Sequence, residues 1–423
     1  WLKRDGRWPF AHRKGRAEDP TPVKGPSGME EIFLIVNPKS GGNKGEAFLE
    51  VPQPFITTLD DGRQFSLRIY SILDGESGKK PGFLALKQRT QICPYPVKLI
   101  VGGGDGTVMF ADSECEKHGI DTKTKVVFGI VPLGTGNDFA RSYGWGGKNP
   151  AKILDDDCRV LRKLATKWAK AEEVHHDVWQ VSLRVSEREG AVMKVGAEKE
   201  EVAQKEKVVI APMVNYFSIG QESRAGIDFD KHRTKSQLAN LFVYGLAGAF
   251  AELNCMQKWN HIGSVVGSLH HGTGPDGEII FNQDREDEFP DLVGNPESLM
   301  FLNINSYAGG NCRFWRTENP IGLDPEPDEE EVEVEQDPGD GRLEVVTVPS
   351  LVAIGLDKAV HMSKRITSAG PYYIKFQDDD DTPDQLEAWC EIDGEFFHLI
   401  NPDCCHVTHK KVLRVLRNVA KKD

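Results

Sequence analysis

The sequence lacks any apolar run that approaches the roughly 18 to 20 residues of a membrane-spanning helix. It also lacks a CxxC pair, and its eight cysteines are scattered along the chain. Such spacing favours reduced thiols in a cytoplasmic protein over a disulfide framework. Basic residues are outnumbered, 52 against 65 acidic, which leaves a net charge of −13. Because nucleic-acid binding requires cations that neutralise phosphates, this charge argues against nucleic acid as a partner.

An initiator methionine and a signal-peptide pattern are absent as well. We therefore expect the chain to be part of a longer protein, with regulatory domains upstream. Residues 1–29 are predicted to be a basic tail and linker, in which lysine and arginine alternate with Trp1, Trp8 and Phe10. That mixture is typical either of a loose terminus or of a segment that lies on an anionic membrane surface.

A chain of 423 residues is long enough for two hydrophobic cores. In residues 30–175, short β-branched runs alternate with helical stretches, which predicts parallel strands joined by helices. The predicted strands are Ile32–Val36, Phe65–Leu73, Val97–Val101 and Val126–Val131, and the predicted helices are Phe83–Gln91 and Val108–Lys117. This pattern indicates an α/β domain, to which residues 406–423 are expected to return.

Residues 176–405 have a different texture, with alternating apolar and polar residues that predict a mainly β second domain. Its predicted strands are Trp179–Val185, Val208–Phe217, Leu299–Ser306, Leu343–Val348, Tyr372–Phe376 and Glu391–His398. Leu238–Phe250 is predicted to be a core helix. Three charged stretches, at residues 187–207, 324–340 and 378–384, are predicted to be solvated surface insertions because like charges repel.

Three glycine-rich turns follow predicted strands, and they carry the functional signal. They are NPKSGG at 37–42, GGGDGT at 102–107 and PLGTGNDFA at 132–140. Glycine lets the backbone approach a phosphate chain, and the amides that open the next helix point at the anion. The turn at 102–107 is not a P-loop, because no Gly-Lys-Ser/Thr follows it. It is not a dinucleotide-binding fingerprint either, because the third glycine is missing. Since the carboxyl ends of parallel strands share one edge, the three turns predict one triphosphate site.

The strings NPKSGG, GGGDGTV and PLGTGNDFARSYGWGG resemble the catalytic domain of eukaryotic diacylglycerol kinases. The resemblance continues through HHDVWQV, VNYFSIG, FLNINSYAGG, DGRLEVV, EIDGE and VTHKK, and covers roughly residues 32–416. It implies a phosphofructokinase-like doubly wound nucleotide domain with a β-sandwich accessory domain. The implied activity is ATP-dependent phosphorylation of diacylglycerol to phosphatidic acid, with ATP and Mg²⁺ as cofactors and peripheral association with the membrane.

The resemblance and the turns together predict the site residues. The groups expected to hold ATP are Asn37, Ser40, Gly103, Gly104, Gly106, Thr107, Gly134, Thr135, Gly136 and Asn137. Asp105 and Glu395 compete for the role of general base, since phosphoryl transfer needs a group that takes or orients the proton of the nucleophile. The resemblance implies a magnesium network of Asp105, Asp138 and Asp177, and a structural magnesium site at Asp337 and Asp340.

One departure from the family pattern keeps the lipid class open. Gln221-Glu222-Ser223 stands where these kinases usually have an aspartate followed by alanine. A sphingosine or ceramide kinase of the same superfamily is therefore an alternative. A small-molecule kinase of the NAD-kinase type shares the GGDG turn, but the second glycine turn and the YFSIG segment argue against it.

Overall fold

A computed structural model describes residues 29–59, 62–195, 200–232, 261–285, 288–327, 334–357, 359–377 and 385–419. The fold is mixed α/β with large sheets. The strands are β1 Glu30–Val36, β2 Phe55–Thr58, β3 Gln64–Ser71, β4 Val97–Gly103, β5 Val126–Pro132, β6 Glu172–Val185, β7 Ala191–Val195, β8 Glu201–Ala203, β9 Val208–Met213, β10 Tyr216–Gly220, β11 Val266–His271, β12 Glu278–Asn282, β13 Asp291–Leu292, β14 Ser298–Leu302, β15 Leu323–Asp324, β16 Leu343–Val348, β17 Lys364–Ala369, β18 Tyr372–Phe376, β19 Glu387–Ile392, β20 Glu395–Ile400 and β21 Pro402–Arg417.

The helices are α1 Ser40–Asn43, α2 Glu46–Leu49, α3 Pro81–Ile92, α4 Asp105–Lys117, α5 Asp138–Ser142, α6 Asp155–Lys170, α7 Gln221–His232 and α8 Leu351–Leu356, with a 3₁₀ turn at Ile262–Ser264. None of the helices that the structure describes has the length and apolar character needed to cross a bilayer.

The amino-terminal region is built on the parallel strands β3, β1, β4 and β5, which lie in that order. The chain passes from β1 to β3 on one side and then to β4 on the other, so the strand order reverses between β1 and β4. In sheets of this kind, ligands bind at such a reversal, beyond the carboxyl ends of the strands. The four strands and two helices predicted for this region are confirmed.

The long strand β21 connects the two regions. Its end runs parallel to β5, with Val415 opposite Phe128, and most of its length pairs antiparallel with β6. The predicted boundary at residues 175 and 176 lies within β6, and residues 405 and 406 lie within β21. The sheet of the amino-terminal region therefore continues without a break into β18, β11 and β12.

A second, antiparallel sheet has the order β17-β16-β14-β10-β19-β20-β7-β8 in the described residues. Its apolar face packs against the extended part of the first sheet around a core that contains Trp179 and Leu269 from one side and Phe217 and Phe301 from the other. These four side chains are fully buried. Burial of this apolar surface is the main force that holds the two sheets together.

Three predicted strands are wrong in detail. Leu299–Ser306 is too long, because β14 ends at Leu302. Val208–Phe217 is divided into β9 and β10, because the carboxylate of Asp393 accepts the backbone N–H groups between them. Glu391–His398 is the turn of a hairpin between β19 and β20 and not one strand. Asp393 and Gly394 both have positive φ, 50° and 83°, which is the geometry of a tight two-residue turn.

The prediction of a solvated insertion at residues 187–207 is also wrong for part of that stretch. Residues 191–195 and 201–203 form β7 and β8, and β7 pairs with β20 at the edge of the second sheet. The alternating apolar residues of AVMKV outweigh the surrounding charge, since Val192 is fully buried. Leu238–Phe250, residues 328–333 of the second insertion, and residues 378–384 lie outside the described residues.

Candidate active site

Two of the glycine turns contact each other through their backbones. The turn after β4 and the turn after β5 approach so closely that a Cβ atom on Gly134 would lie 2.7 Å from the Cα of Gly104. Real Cβ atoms do not approach other carbon atoms at that distance, so glycine is required at position 134. Gly106, in contrast, has open space around it. The close contact places the amino end of α4 directly beside the second turn.

Asn137 holds the second turn in shape. Its backbone is left-handed, with φ 57°. Its side-chain Oδ1 accepts the N–H of Gly134 at 2.8 Å, and its Nδ2 donates to the carbonyl oxygens of Gly134 and Gly147, both at 3.0 Å. The amide thus fixes the loop that would face the nucleotide, and its part in holding ATP stays a prediction.

The turn after β1 lies beside β4. The N–H of Asn37 donates to the carbonyl of Gly102 at 2.8 Å, and the N–H of Ser40 donates to the carbonyl of Asn37 at 3.1 Å. Gly41 follows with φ 64°, a conformation that glycine adopts readily. The structure thus brings Asn37 and Ser40 to the same sheet edge as the other two turns, as the sequence predicts.

Asp105 opens α4 at the meeting point of the turns. Its Oδ2 accepts the N–H groups of Asp138 and Phe139, at 3.0 and 3.4 Å, and the side-chain Nδ2 of Asn215 at 3.0 Å. Its Oδ1 is enclosed and has no hydrogen-bond partner among the described residues. Burial, and after it the charge of Asp138, raises the pKa of Asp105 from 3.8 to about 7. A carboxylate with one unused, enclosed oxygen is a candidate metal ligand or general base.

Two residues that sequence reasoning missed support Asp105. Asn215 donates to it, and the Oδ1 of Asn215 also lacks a partner in the described part of the chain. Asp393 holds Asn215 in place by accepting its N–H at 2.8 Å, together with those of Val214 at 2.7 Å and Tyr216 at 3.1 Å. The strings VNYFSIG and EIDGE contain these residues, yet only their pairing across the fold reveals their role.

Asp138 connects the turn after β5 to the loop after β14 in the second sheet. Its Oδ1 accepts the hydroxyl of Ser306 at 2.7 Å and the N–H of Gly310 at 2.9 Å, and its Oδ2 accepts the N–H of Gly309 at 3.0 Å. Burial raises its pKa. Each carboxylate oxygen thus accepts hydrogen bonds from the loop after β14, so Asp138 connects the turn after β5 to that loop. Its predicted place in a magnesium network stays a prediction.

The carboxylate of Asp177, in β6, has partners that differ from those of Asp105. Its carboxylate accepts the N–H of Gly341 at 2.6 Å and contacts the ring Nε2 of His409 at 2.7 Å. Asp337 and Asp340 form local turns in the neighbouring loop, accepting the N–H groups of Gly339 and Arg342. In the residues described, no group of three or more His, Cys, Asp or Glu side chains is arranged to hold a metal. The structural magnesium site therefore stays a prediction.

Glu395 begins β20, two residues after Asp393. Its side chain is 64% exposed and forms an ion pair with Lys194 at 2.8 Å. Asp105 hydrogen-bonds to Asn215 and to backbone groups, and no contact with Glu395 is seen among them. The two candidate bases thus differ strongly in environment, since one is enclosed and the other is solvated.

Buried carboxylates continue from Asp393 into the second sheet. Burial raises the pKa of Asp393 to about 6 and that of Glu391 to about 8. The hydroxyl of Tyr307 donates to Glu391 Oε2 at 2.9 Å. Glu222 is fully buried, its pKa is raised by burial, and it accepts the hydroxyls of Ser223 and Ser298. This region therefore disfavours negative charge.

Glu391→Gln should stabilise the protein at alkaline pH. Because the pKa of Glu391 is higher in the folded protein than its ordinary value of 4.5, the protonated side chain contributes fully to the free energy of unfolding below pH 4.5. This contribution is lost as the pH rises through about 8. We expect similar thermal midpoints for the variant and the parent at about pH 5, and a higher midpoint for the variant at about pH 9. The exposed Glu206→Gln is the control. A variant less stable than the parent at alkaline pH would contradict the prediction.

Comparison with known proteins relates two parts of the chain to one family. Residues 31–170 match the diacylglycerol kinase catalytic domain, and residues 212–396 match the diacylglycerol kinase accessory domain. The chain belongs to the diacylglycerol kinase family. All three glycine turns and Asp105 fall within the catalytic-domain match, whereas Asn215 and Asp393 fall within the accessory-domain match. The residues of the candidate site therefore come from both matched regions.

Named relatives are similar over most of this chain. Diacylglycerol kinase theta of Mus musculus is 28% identical over 77% of the chain and 29% of its own length. Diacylglycerol kinase zeta of Homo sapiens is 26% identical over 83% of the chain and 32% of its own length. The chain thus spans less than half the length of these curated relatives. A crystal structure described as a diacylglycerol kinase from Bacillus anthracis str. Sterne is 18% identical, with a TM-score of 0.43 and coverage of 92% of this chain and 97% of that chain.

Proposed function

We propose that this chain transfers the γ-phosphoryl group of ATP to the free hydroxyl of diacylglycerol and so forms phosphatidic acid. The observation that carries the proposal is the unpartnered, enclosed Oδ1 of Asp105 at the contact of two glycine turns. The three turns supply the amides for a phosphate chain, and the family match supplies the reaction class. The acceptor hydroxyl would enter from the accessory side, where Asn215 and Asp393 lie.

Magnesium fits the residues present. Asp105 and Asn215 each direct an enclosed oxygen that has no partner among the described residues, and oxygen ligands are those that Mg²⁺ prefers. Mg²⁺ is usually held by one or two protein groups together with substrate phosphates, so a cluster of three carboxylates is not required. When bound, the ion would neutralise charge on the β- and γ-phosphates of ATP.

In this proposal, Mg²⁺ would be held by Asn215 and the substrate phosphates, which leaves the Oδ1 of Asp105 to orient the acceptor hydroxyl and take its proton. In the protein without metal, burial raises the pKa of Asp105 to about 7, so its carboxylate is a stronger base than an ordinary aspartate. Asn215 donates to the other oxygen and so keeps the carboxylate from rotating. The glycine turns hold the phosphate chain through backbone N–H groups. Positioning of this kind is the main contribution of the protein, because the transition state of phosphoryl transfer is loose.

We also propose the finer fold assignment: a phosphofructokinase-like doubly wound nucleotide domain with a β-sandwich accessory domain. The reversal of strand order at β1 supports the first name. The core between the two large sheets supports the second. We place the enzyme at the cytoplasmic surface of a membrane, because the substrate of the proposed reaction lies in the bilayer.

The buried state of Glu222 favours a neutral lipid. Sphingosine carries an ammonium group, which would require an accessible carboxylate in the lipid site. Glu222, the unusual acid of this region, is fully buried and already accepts hydroxyls of Ser223 and Ser298. It is therefore not available to pair with an ammonium at the surface of the cleft.

A radiolabelled-ATP assay tests the function. Mixed micelles carry diacylglycerol, sphingosine or ceramide, one lipid at a time, and products are separated by thin-layer chromatography. We expect strong labelling of diacylglycerol and little of the others. Labelling of sphingosine with diacylglycerol untouched would replace the proposed substrate by the alternative lipid class, and omission of magnesium tests the metal requirement.

Glu395→Gln separates the two candidate bases. If Glu395 takes the proton, turnover should fall on the order of a hundredfold or more with normal ATP binding, which is the usual range for loss of a general base. Since Glu395 is exposed and paired with Lys194, we expect the variant to keep most of its activity. Lys194→Gln, which removes the other half of the ion pair, is the matched control for local effects.

A further inference from the structure

Helix α8 presents an apolar row to solvent. Val352, Leu356 and Val360 are 51%, 47% and 53% exposed. Val352 and Leu356 are four residues apart in α8, which places them on one face of the helix, and Val360 lies beyond the end of the helix. The N–H of Val360 donates to the carbonyl of Leu356 at 2.9 Å, which keeps Val360 beside the other two members of the row. Met362, 41% exposed, follows immediately.

The opposite face of α8 is firmly anchored. Ala353 and Ile354 are buried, and the thiol of Cys312 contacts the carbonyl of Ile354 at 3.3 Å. Asp357 is buried and accepts the N–H of Arg313 at 2.8 Å. These contacts fix the orientation of the helix, so the exposed row is a permanent feature of the surface.

The row is a cluster and not a set of scattered residues. The described chain has fourteen exposed large hydrophobic side chains, and four of them lie within residues 352–362. Single exposed apolar residues are normal on protein surfaces, whereas contiguous apolar patches mark interaction sites. A partner is therefore expected to cover this face.

Arg313 is joined to the end of α8, because its N–H donates to Asp357. Arg313 is exposed, and together with Arg141 it lines a cavity of about 330 Å³ whose other lining residues carry no charge: Ser142, Ile304, Asn305, Ser306, Gly310, Gln336 and Pro338. On a chain with net charge −13, two arginines in one acid-free cavity form a local positive area. Such an area complements an anionic surface.

The cavity adjoins the candidate active site. Ser306 and Gly310 line the cavity and also donate to the carboxylate of Asp138. The N–H of Asp138 in turn donates to Asp105. The cavity that the arginines line is thus connected to the candidate catalytic carboxylate through Asp138, and Arg313 is connected to the end of α8 through Asp357.

We propose that the row of Val352, Leu356 and Val360, with Arg313 beside it, is the surface by which this chain docks on an anionic phospholipid bilayer. The aliphatic side chains enter the interfacial layer, and the arginine contacts lipid phosphates. The inference rests on the proposed function in one respect, namely that the substrate is a lipid which must reach the cleft from the bilayer.

Sedimentation with vesicles tests the surface. The triple variant Val352→Ser/Leu356→Ser/Val360→Ser is compared with the parent on vesicles of equal parts phosphatidylcholine and phosphatidylserine. We expect its affinity for the vesicles to fall about tenfold or more, because three aliphatic contacts with the bilayer are lost. The scattered triple Ile56→Ser/Leu73→Ser/Ile92→Ser is the control and should bind like the parent. Thermal midpoints of both variants verify that they fold.

Two further variants give independent readouts. Arg313→Gln should weaken binding to vesicles that contain phosphatidylserine and have no effect on vesicles of phosphatidylcholine alone. Val360→Trp should strengthen binding to both, since tryptophan favours the interfacial layer. The triple variant should phosphorylate a short-chain, water-soluble diacylglycerol at the parent rate and a vesicle-borne one more slowly.

Parent-like binding of the triple variant would overturn the proposal. Loss of vesicle binding in the variant Trp1→Ser/Trp8→Ser, with the row intact, would also overturn it. The same holds if the parent is a dimer and the triple variant becomes a monomer that binds vesicles as the parent does. Sedimentation requires neither ATP nor diacylglycerol. If the parent binds vesicles through the row but phosphorylates no diacylglycerol, the proposed function fails while the docking surface stands.

Discussion

Asp105→Asn is expected to lower turnover on the order of a thousandfold while ATP still binds, because the charge needed for a proton or a metal is lost. Asparagine is nearly isosteric with aspartate, and its side-chain oxygen can still accept from Asn215 and from the N–H of Asp138. The fold should therefore persist. Steady-state kinetics on diacylglycerol micelles give the turnover, and a direct nucleotide titration gives the affinity for ATP.

Asp155→Asn is the matched control, because Asp155 also opens a helix, α6, but is exposed and lies outside the glycine turns. It removes a favourable charge at a helix amino terminus without touching the site. Activity should remain close to that of the parent. If Asp105→Asn kept activity within about tenfold, the usual lower bound for losing a general base would not be met, and another group would have to carry the chemistry.

Gly134→Ala should raise the KM for ATP on the order of tenfold and lower the thermal midpoint, since overpacking commonly costs about 1–3 kcal/mol. The added Cβ would lie 2.7 Å from the Cα of Gly104 and 2.9 Å from the Oδ1 of Asn137. Neither atom can withdraw easily, because one is backbone and the other holds the turn. The two phosphate-facing turns would have to separate.

Gly106→Ala is the comparison for Gly134→Ala, because Gly106 lies in the neighbouring glycine turn. Nothing lies within 4 Å of a Cβ at that position, and α4 would gain a better helix former. Its stability should equal or exceed that of the parent. Equal effects of the two substitutions on ATP affinity would show that contact between the turns is not what shapes the phosphate site.

Local pattern was sufficient for the elements around the nucleotide site. In β1, β4 and β5, each β-branched run is followed directly in sequence by its glycine turn. The order of strand, turn and helix can therefore be predicted without knowledge of the fold. The same reasoning failed at Val208–Phe217. There the apolar pattern continues, but a carboxylate distant in sequence, Asp393, accepts the backbone N–H groups and divides the strand.

The two-region α/β and β-rich organisation, the predicted phosphate-binding edge and the place of Asp105 within it could be inferred from sequence alone, because those features depend on residues that are neighbours along the chain. The groups that surround Asp105 became known only from the fold. Asn215 lies 110 residues away from it, and the apolar row of α8 is directed outward by contacts to Cys312 and Arg313. Burial, pKa and exposure depend on such distant contacts, and they separate the enclosed carboxylate of Asp105 from the solvated one of Glu395.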